Sequence, residues 1–387
     1  MKIESTWLVL LLGTLYACED KPTKVATNTL NPVDSLEWSE PLSETTEEEE
    51  EVVAPEWIFR QNGKIANATP ISGIYQHSVL DTFDFPFVTS QIVEALDNQL
   101  KLLELTEPRR PQQVGNLVVT PQQLRETIRT LRAWQQTKPL SLHQYLDAYQ
   151  IRGKDGKGNV KFTGYYTPVV KVSKKKSAEY QYPIYARPLQ WQGRMPSRRD
   201  IEQGALHGLG LELAYARSRA DVYRMQMQGS GFVEYANGSR ELFSYSGTNR
   251  HPYRSVKRYD RKAPKADTAL FRDPSYTFFT PRRTQPKGAG HVPLLEELSI
   301  AVDKRYIPLG SCLLAAFPVY DLKTRRLKHE YRLFFAQDVG GAIRGPGHVD
   351  VYRGIGPKAR RKAHYLNHYG RLWLLLPKRD DAVSASY

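Results

Sequence analysis

The second half of the chain is built from short runs of β-branched and aromatic residues that are separated by turn residues. The runs include FTGYYTPVVKV, YQYPIYARP, YRMQMQGSGFVEYANG and LFSYSG, and from Tyr276 onward YTFFT, SIAVD, CLLAAFPVYDL, YRLFFAQDV and RLWLLLP. Runs of this kind are typical of strands, and the Asn237-Gly238 pair after an alternating run indicates a hairpin. We therefore predict a β-rich protein beyond Lys161, and its 387 residues are enough for two domains.

Helical signals are concentrated in residues 84–150, before the strand pattern begins. The segment VTPQQLRETIRTL has Thr120 as its N-cap and Pro121 in its first turn, and its apolar residues fall on one face. We also predict an earlier helix over about residues 90–103 and a later one, LHQYLDAY, which opens at Ser141.

The first eighteen residues, MKIESTWLVLLLGTLYAC, have the pattern of an export signal. Lys2 precedes an apolar run that is too short to span a bilayer as a helix. The ending LYAC resembles a bacterial lipobox, in which the cysteine becomes the acylated N-terminus. We expect lipidation at Cys18; the alternatives are an ordinary secretory signal and a cysteine without this role.

Acidic residues crowd the segment from residue 19 to residue 56, which is otherwise rich in Pro, Thr and Ser. Such a segment cannot bury enough apolar surface to fold, so we predict a disordered tether. Of the 55 basic and 41 acidic residues of the chain, 3 and 13 lie in residues 1–56, so residues 57–387 carry a formal net charge of +24. This charge fits a polyanionic partner such as nucleic acid, anionic lipid or an acidic cell-wall polymer, and an exported leader argues against nucleic acid.

One glycine-rich segment, DVGGAIRGPGHVD at 338–350, has an aspartate at each end. Its glycines follow neither GxxxxGK[ST] nor GxGxxG, which disfavours a phosphate loop. No acid lies between the two aspartates, which disfavours calcium, and His348 with nearby His364 and His368 lacks the pattern of a zinc site. We expect no metal and no cofactor, so carboxylate chemistry remains. Cys312 lies in an apolar stretch and is expected to be a buried core thiol.

Eight motifs follow one another between Phe162 and Pro377. They are FTGYYTP (162–168), RRDIEQGAL (198–206), QMQGSG (226–231), NRHPY (249–253), DPSYTFF (273–279), SIAVDKRYIPLG (299–310), DVGGAIRGPGHVDVYRGIG (338–356) and NHYGRLWLL (367–375). In this order they resemble the membrane-bound lytic transglycosylase A (MltA) family of peptidoglycan-cleaving lipoproteins, whose C-terminal 3D domain is named for three aspartates. Those aspartates fall on Asp303, Asp338 and Asp350. Two departures are a shortened segment at 257–271 and one extra residue before Asp350.

The resemblance implies a mainly β fold with N-terminal helices: a double-psi β-barrel (the 3D domain) with a second small β-barrel inserted, and a glycan groove between them. The domain division that we expect is a lipoprotein signal (1–18), an acidic tether (19–56), an N-terminal helical part of the main domain (57–160), the inserted MltA barrel (161–271), the 3D domain (272–379) and a tail (380–387).

The resemblance also implies the reaction, which is cleavage of the MurNAc–GlcNAc β-1,4 bond without water to leave a 1,6-anhydro-MurNAc end. The family's catalytic acid matches Asp350 in HVDVY. A hydrolase needs two carboxyls, whereas an intramolecular transglycosylase can use one as acid and then as base. Such an acid needs a pKa raised from about 3.9 toward about 6, by burial or by a like charge such as Asp338. Strand alternation puts Val349 and Val351 on the face opposite Asp350.

Other side chains of these motifs are candidate glycan ligands. We expect Gln226 and Gln228 to point the same way on a strand, with Ser230 at the turn. Gly340, Gly341, Gly345 and Gly347 are expected to allow positive φ and the approach of a sugar. The expected substrate-binding set is Asp338, Gln226, Gln228, Ser230, Thr163, Tyr165, Tyr166, Thr167, Tyr253, Gly340 and Gly341, with Asn249 a weaker candidate.

Each of these candidates has a structural alternative. Asp338 can cap a loop, the glutamines can line a solvated strand, the tyrosines can be core residues with a wet tip, and the glycines can serve barrel geometry alone. Asp303 is expected to be structural, and His348 a polar or stacked histidine.

The sequence favours an exported, lipid-anchored lytic transglycosylase, a carbon–oxygen lyase acting on polysaccharide. The alternatives are a hydrolase that uses Asp338 and Asp350 as a pair, and a non-catalytic glycan-binding wall protein, since double-psi barrels also occur in wall-loosening proteins. The expected partners are peptidoglycan glycan strands and, through the N-terminal lipid, the periplasmic face of the outer membrane. We expect no nucleic acid, and the sequence does not identify partner proteins.

Overall fold

Strands outnumber helices in the part of the chain that the computed structural model describes, which comprises residues 73–79, 89–106, 110–137, 142–256, 269–321 and 326–378. The predicted signal (1–18, with Cys18), tether (19–56) and tail (380–387) lie outside the described residues, as do Ser141 and residues 257–268 of the shortened segment. Within the described ranges, no helix is long and apolar enough to cross a membrane.

The strands and helices are numbered in chain order. The strands are β1 (Tyr75–Ser78), β2 (Gln112–Val114), β3 (Leu117–Val119), β4 (Leu146–Ile151), β5 (Val160–Thr167), β6 (Val169–Ser173), β7 (Tyr182–Tyr185), β8 (Glu212–Ala216), β9 (Gly231–Glu234), β10 (Arg240–Thr248), β11 (Thr277–Arg282), β12 (Ser299–Val302), β13 (Cys312–Asp321), β14 (Arg326–Val339), β15 (His348–Ile355) and β16 (Asn367–Pro377). The helices are α1 (Ser90–Thr106), α2 (Pro121–Thr137), the single turn α3 (Arg198–Asp200), α4 (Arg219–Gln228) and α5 (Gly356–Tyr365). A π-helical turn, Ile201–Ala205, continues α3, and short 3-10 turns occupy Leu142–Gln144 and Leu270–Arg272.

The larger sheet closes into a barrel. Its strands run in the order β16, β13, β14, β12, β15, β5, and β5 pairs back with β16. β12 with β14 and β15 with β5 are parallel pairs, and the other neighbours are antiparallel. β4 and β1 extend the sheet from β16. This closed ring brings β5 and β15, which are far apart in sequence, next to each other.

The interior of the larger barrel and the inner faces of α1 and α2 form one apolar core. Phe162, Phe317 and Phe334 contact one another there, with ring centroids 5.3–6.1 Å apart. Cys312 is buried and free, as the sequence predicts. The predicted start of α2 is also confirmed, because Thr120 Oγ1 accepts from Gln123 N at 3.1 Å and Gln123 Oε1 accepts from Thr120 N at 2.9 Å.

The smaller sheet also closes. Its order is β11, β10, β9, β6, β8, β7, and a bridge between Ala186 and Phe279 joins its two ends. Its apolar core is separate from that of the larger barrel. The predicted hairpin joins β9 to β10, with Gly238 at a φ of 79°. Sheet membership changes at Pro168, beyond the predicted boundary at 161, and β11 lies beyond the predicted boundary at 271.

The predicted helix LHQYLDAY was wrong. Its first residues form the 3-10 turn Leu142–Gln144, and the remainder is strand β4. β4 pairs with both β1 and β16, and Leu146 and Ala148 are buried on one face. The two neighbouring strands therefore override a weak local helix preference.

Candidate active site

β5 and β15 carry the central predicted site residues on one face. The two strands are parallel, and Thr163 is the register partner of Asp350. Their neighbours Phe162, Val349 and Val351 are fully buried in the barrel core. Because strand side chains alternate, Thr163 and Asp350 project from the opposite face. The predicted orientation of Val349 and Val351 relative to Asp350 is therefore confirmed.

Asp350 is half-buried, and its Oδ1 accepts a hydrogen bond of 2.9 Å from the Thr163 hydroxyl. Burial raises the pKa of Asp350 to about 7; the Thr163 hydrogen bond opposes this rise, and the negative charge of Asp338 adds to it. Among the described residues, no basic side chain perturbs the pKa of Asp350. A carboxyl group in this setting is substantially protonated near neutral pH.

Asp338, at the end of β14, is held by three hydrogen-bond donors. The Tyr165 hydroxyl donates to Oδ2 at 2.9 Å, and the backbone N–H groups of Ala289 and Val339 donate to Oδ1 at 2.9 and 2.8 Å. Burial raises the pKa of Asp338, and the three donors oppose that rise. Tyr165 also stacks on Tyr352, with ring centroids 5.3 Å apart. Asp338 is thus a carboxyl group fixed in position, and its negative charge when ionised raises the pKa of Asp350.

Asp303 has the opposite electrostatic environment. Arg305 donates to Oδ1 and Oδ2 through Nε and Nη2 at 2.9 and 2.5 Å, and the Gly345 N–H donates to Oδ2 at 2.9 Å. The Arg305 hydrogen bonds are the main cause that lowers the pKa of Asp303. Asp303 therefore stays ionised and ties the 344–347 loop to the barrel.

His348 lies on the same side of β15 as Asp350. Its Nε2 is 2.8 Å from the Thr163 hydroxyl oxygen. Burial, together with the positive charges of Lys161 and Lys154, lowers the pKa of His348 to about 4. The imidazole is consequently neutral at physiological pH.

Comparison with known proteins identifies the family. Residues 298–376 match the model of the 3D domain, and residues 161–269 match that of the MltA specific insert domain. The membrane-bound lytic murein transglycosylase A of Escherichia coli strain K12 is 42% identical over 255 residues, which cover 59% of this chain and 69% of that protein. The chain belongs to this family.

Two further relatives agree. The membrane-bound lytic murein transglycosylase A of Vibrio cholerae is 36% identical over 273 residues, which cover 63% of this chain and 74% of that protein. The crystal structure of E. coli MltA with bound chitohexaose superposes with a TM-score of 0.66 at 32% identity, covering 80% of this chain and 96% of that chain. The predicted MltA family, the enzyme class and the mainly β fold with its 3D barrel are confirmed.

The predicted glycan ligands of this MltA-family chain differ in their solvent exposure. Thr163 and Tyr165 are half-buried and bond to the two site aspartates. Tyr166 is 7% exposed and packs against α5, and the buried Thr167 exchanges a 2.8 Å hydrogen bond with the Tyr352 hydroxyl. Tyr253 is exposed in the loop after β10.

The predicted strand for Gln226 and Gln228 was wrong, because both lie in the last turn of α4. Gln226 is buried; its Oε1 accepts from Arg198 Nη1 at 2.6 Å, and its Nε2 donates to the Thr277 carbonyl oxygen. Gln228 Oε1 accepts from the Tyr166 N–H at 2.9 Å. Ser230 follows the left-handed cap Gly229 and is half-buried. Both glutamines therefore have protein partners, and their role as glycan ligands remains a prediction.

The expected positive φ in the glycine-rich segment was wrong for three of four residues. Only Gly345 has a positive φ, of 79°. At Gly347 a Cβ would lie 2.8 Å from the Lys154 backbone nitrogen, so the close approach is to protein backbone. Gly340 packs against Ile343, and Gly341 borders open space.

The contacts of two residues, His348 and Arg198, were not predicted from the sequence. His348 is a polar histidine, as expected, but its hydrogen bond with Thr163, which also donates to Asp350, was not predicted. Arg198, in RRDIEQGAL, is 1% exposed and lies over the rings of Tyr223 and Tyr276. The motif RRDIEQGAL contributes to the family resemblance alone, and an arginine at a helix start gives no signal of burial.

Proposed function

We propose that this chain cleaves the MurNAc–GlcNAc β-1,4 bond of peptidoglycan and forms 1,6-anhydro-MurNAc, with Asp350 as its single general acid/base. The observation that carries the proposal is the Asp350 carboxyl group, whose pKa is raised to about 7 by burial. Family membership supports the same reaction class. Glycan strands as substrate are supported by the related structure that was solved with chitohexaose.

The reaction needs one proton donor that later accepts a proton. Protonated Asp350 gives its proton to the glycosidic oxygen as the bond from that oxygen to C1 of MurNAc breaks. The resulting carboxylate takes the proton of the C6 hydroxyl, whose oxygen forms a new bond to C1. This returns Asp350 to its acid form and consumes no water. The attack is intramolecular, so positioning of the sugar replaces a bound nucleophile.

The geometry of Asp338 disfavours the hydrolase alternative. A hydrolase requires a second carboxylate that is free to attack C1 or to activate water. Both oxygens of Asp338 accept hydrogen bonds from the protein, two from backbone N–H groups and one from Tyr165. Asp338 therefore acts as a fixed negative charge, which helps to keep Asp350 protonated.

Thr163 and Tyr165 are the predicted glycan ligands best supported as site residues, because both bond to the site aspartates. Gly341, which borders open space, and the exposed Tyr253 can accept a sugar without rearrangement of the core. The relatives are named membrane-bound. We therefore retain Cys18 as the proposed lipidation site, with attachment to the outer membrane on its periplasmic face.

Digestion of purified sacculi tests the proposed reaction. The soluble muropeptides are separated and weighed, with Asp350→Asn as the inactive reference. We expect anhydro-muropeptides, which are one water lighter than the products of a hydrolase. Reducing ends would show that the hydrolase alternative is correct. Binding to sacculi without any soluble product would show a non-catalytic wall protein.

A further inference from the structure

Three side chains from two strands form a continuous hydrogen-bonded chain that ends at the proposed acid. His348 Nε2 is 2.8 Å from Thr163 Oγ1, and Thr163 Oγ1 is 2.9 Å from Asp350 Oδ1. His348 and Asp350 are two residues apart on β15, so they share a face, and Thr163 lies beside Asp350 on β5. The barrel core fixes both strands, because Val349, Val351 and Phe162 are fully buried.

The hydroxyl of Thr163 has only one hydrogen to donate. If that hydrogen points to Asp350, the contact with His348 requires a hydrogen on the imidazole Nε2. If Nε2 lacks a hydrogen, it competes with Asp350 for the hydroxyl hydrogen. The direction of the whole chain is therefore set by the tautomer of His348.

We propose that His348 is a positioning residue that carries hydrogen on Nε2 and thereby directs the Thr163 hydroxyl hydrogen onto Asp350 Oδ1. This inference rests on the proposed role of Asp350 as the acid/base. With Oδ1 occupied by the hydroxyl, the transferable proton resides on Oδ2. When Asp350 becomes a carboxylate, the same hydroxyl stabilises the new negative charge.

The charged groups around the chain keep His348 uncharged. Lys161 on β5 and Lys154 in the turn before β5 face His348, and together with burial they lower its pKa to about 4. Around Asp350 the ionisable neighbours are Asp338 at the end of β14 and Tyr165 on β5. A neutral donor orients Thr163 without adding a positive charge, which would lower the pKa of Asp350.

A double-mutant cycle tests whether His348 acts through Thr163. His348→Leu removes the donor, and His348→Gln keeps an amide N–H in a similar place. We expect His348→Leu to lower kcat on sacculi by about threefold to tenfold, the cost of one hydrogen bond, and to move the alkaline limb of the pH profile upward. His348→Gln should lower kcat by a smaller factor. In a Thr163→Val background, His348→Leu should change neither quantity further. An equal loss in both backgrounds, or an unmoved pH profile, would overturn the proposal.

A spectroscopic measurement of the wild-type protein serves where His348→Leu fails to fold, and it does not depend on activity. ¹⁵N NMR of the histidine-labelled wild-type protein distinguishes a ring protonated at Nε2 from one protonated at Nδ1, with the His348 signal assigned through His348→Gln. His207→Gln, which removes an exposed histidine, is the matched control and should leave the signal assigned to His348 in place. We expect neutral, Nε2-protonated His348 at pH 7. The Nδ1-protonated form would overturn the positioning role while leaving the acid role of Asp350 to the product analysis.

Discussion

Tyr165 donates its phenolic hydrogen to Asp338 Oδ2 across 2.9 Å, so the aspartate beside the proposed acid is held by hydrogen bonds. The backbone N–H groups of Ala289 and Val339 donate two further hydrogen bonds to Asp338 Oδ1. The negative charge of Asp338 raises the pKa of Asp350, although burial is the larger cause. The two carboxyl groups thus have different environments, which follow from their different hydrogen-bond partners.

The first prediction concerns Asp338→Asn. Removal of the like charge should lower the pKa of Asp350, so that the alkaline limb of the pH–rate profile moves to lower pH. The shift should be small because burial of Asp350 remains. The measurement is kcat/KM on sacculi between pH 5 and pH 9. Tyr165→Phe, which removes one donor from Asp338, is the matched control and should give a smaller shift in the same direction. A shift to higher pH in Asp338→Asn would contradict this account.

The second prediction is that Asp350→Asn stabilises the fold at alkaline pH. The folded pKa of Asp350, about 7, is raised above its ordinary value, so the acid form is favoured by folding. In the wild type, the contribution of Asp350 to the free energy of unfolding is fully present below about pH 4. It is lost as the pH rises through 7. Asparagine carries no charge, so the variant should gain up to about 4 kcal/mol at pH 8. Thermal unfolding at pH 4 and pH 8 measures the difference.

The third prediction is that Asp303→Asn changes the stability in the opposite direction, because the pKa of Asp303 is lowered and that of Asp350 is raised. The pKa of Asp303 is lowered by Arg305, so its contribution to stability is present above about pH 4 and is lost as pH falls through the folded pKa. We therefore expect Asp303→Asn to lower the Tm at pH 8 and to have less effect at acidic pH. If the change in Tm depends on pH in the same way in the Asp303 and Asp350 variants, the two carboxyl groups do not have distinct environments.

The fourth prediction concerns the buried Arg198 of the smaller barrel. Its guanidinium donates to the carbonyl oxygens of Asp273 and Ser275 and to Gln226 Oε1 at 2.6–3.1 Å. Arg198→Met would leave these buried acceptors unpaired, at a cost of about 3–5 kcal/mol in the free energy of unfolding. The exposed neighbour Arg199, changed to Met, should cost about 0.5 kcal/mol or less. Urea unfolding of both variants measures the two costs, and similar values would contradict a structural role for Arg198.

The sequence predicted the strands and the orientation of Asp350 on β15 well because their signals are local. Continuous apolar runs mark β13, β14 and β16, and HVDVY places Asp350 between two buried valines. Local signals in the sequence also could have predicted the helix that contains Gln226 and Gln228. Ser218 caps Asp221 N at 3.1 Å, and Gly229 ends the helix in a left-handed conformation, so both capping signals of α4 were present in the sequence.

The contacts within the site could not be predicted from local patterns. Tyr165 and Asp338 are 173 residues apart, and their meeting depends on the register of a closed barrel. The pairing of His348 with Thr163 likewise depends on the parallel register of β15 and β5. Helix α5 was missed because its basic run resembles a solvated face, although Pro357 lies in its first turn.

A direct titration of Asp350 tests the central claim. The carboxyl ¹³C resonances of the protein labelled at aspartate are followed from pH 3 to pH 9, and the Asp350 signal is assigned by its absence in Asp350→Asn. We predict a midpoint at about pH 7, which would show that this one carboxyl group is protonated when it meets the glycan. A midpoint near the ordinary aspartate value of about 3.9 would contradict the account, because an ionised Asp350 has no proton to give to the glycosidic oxygen.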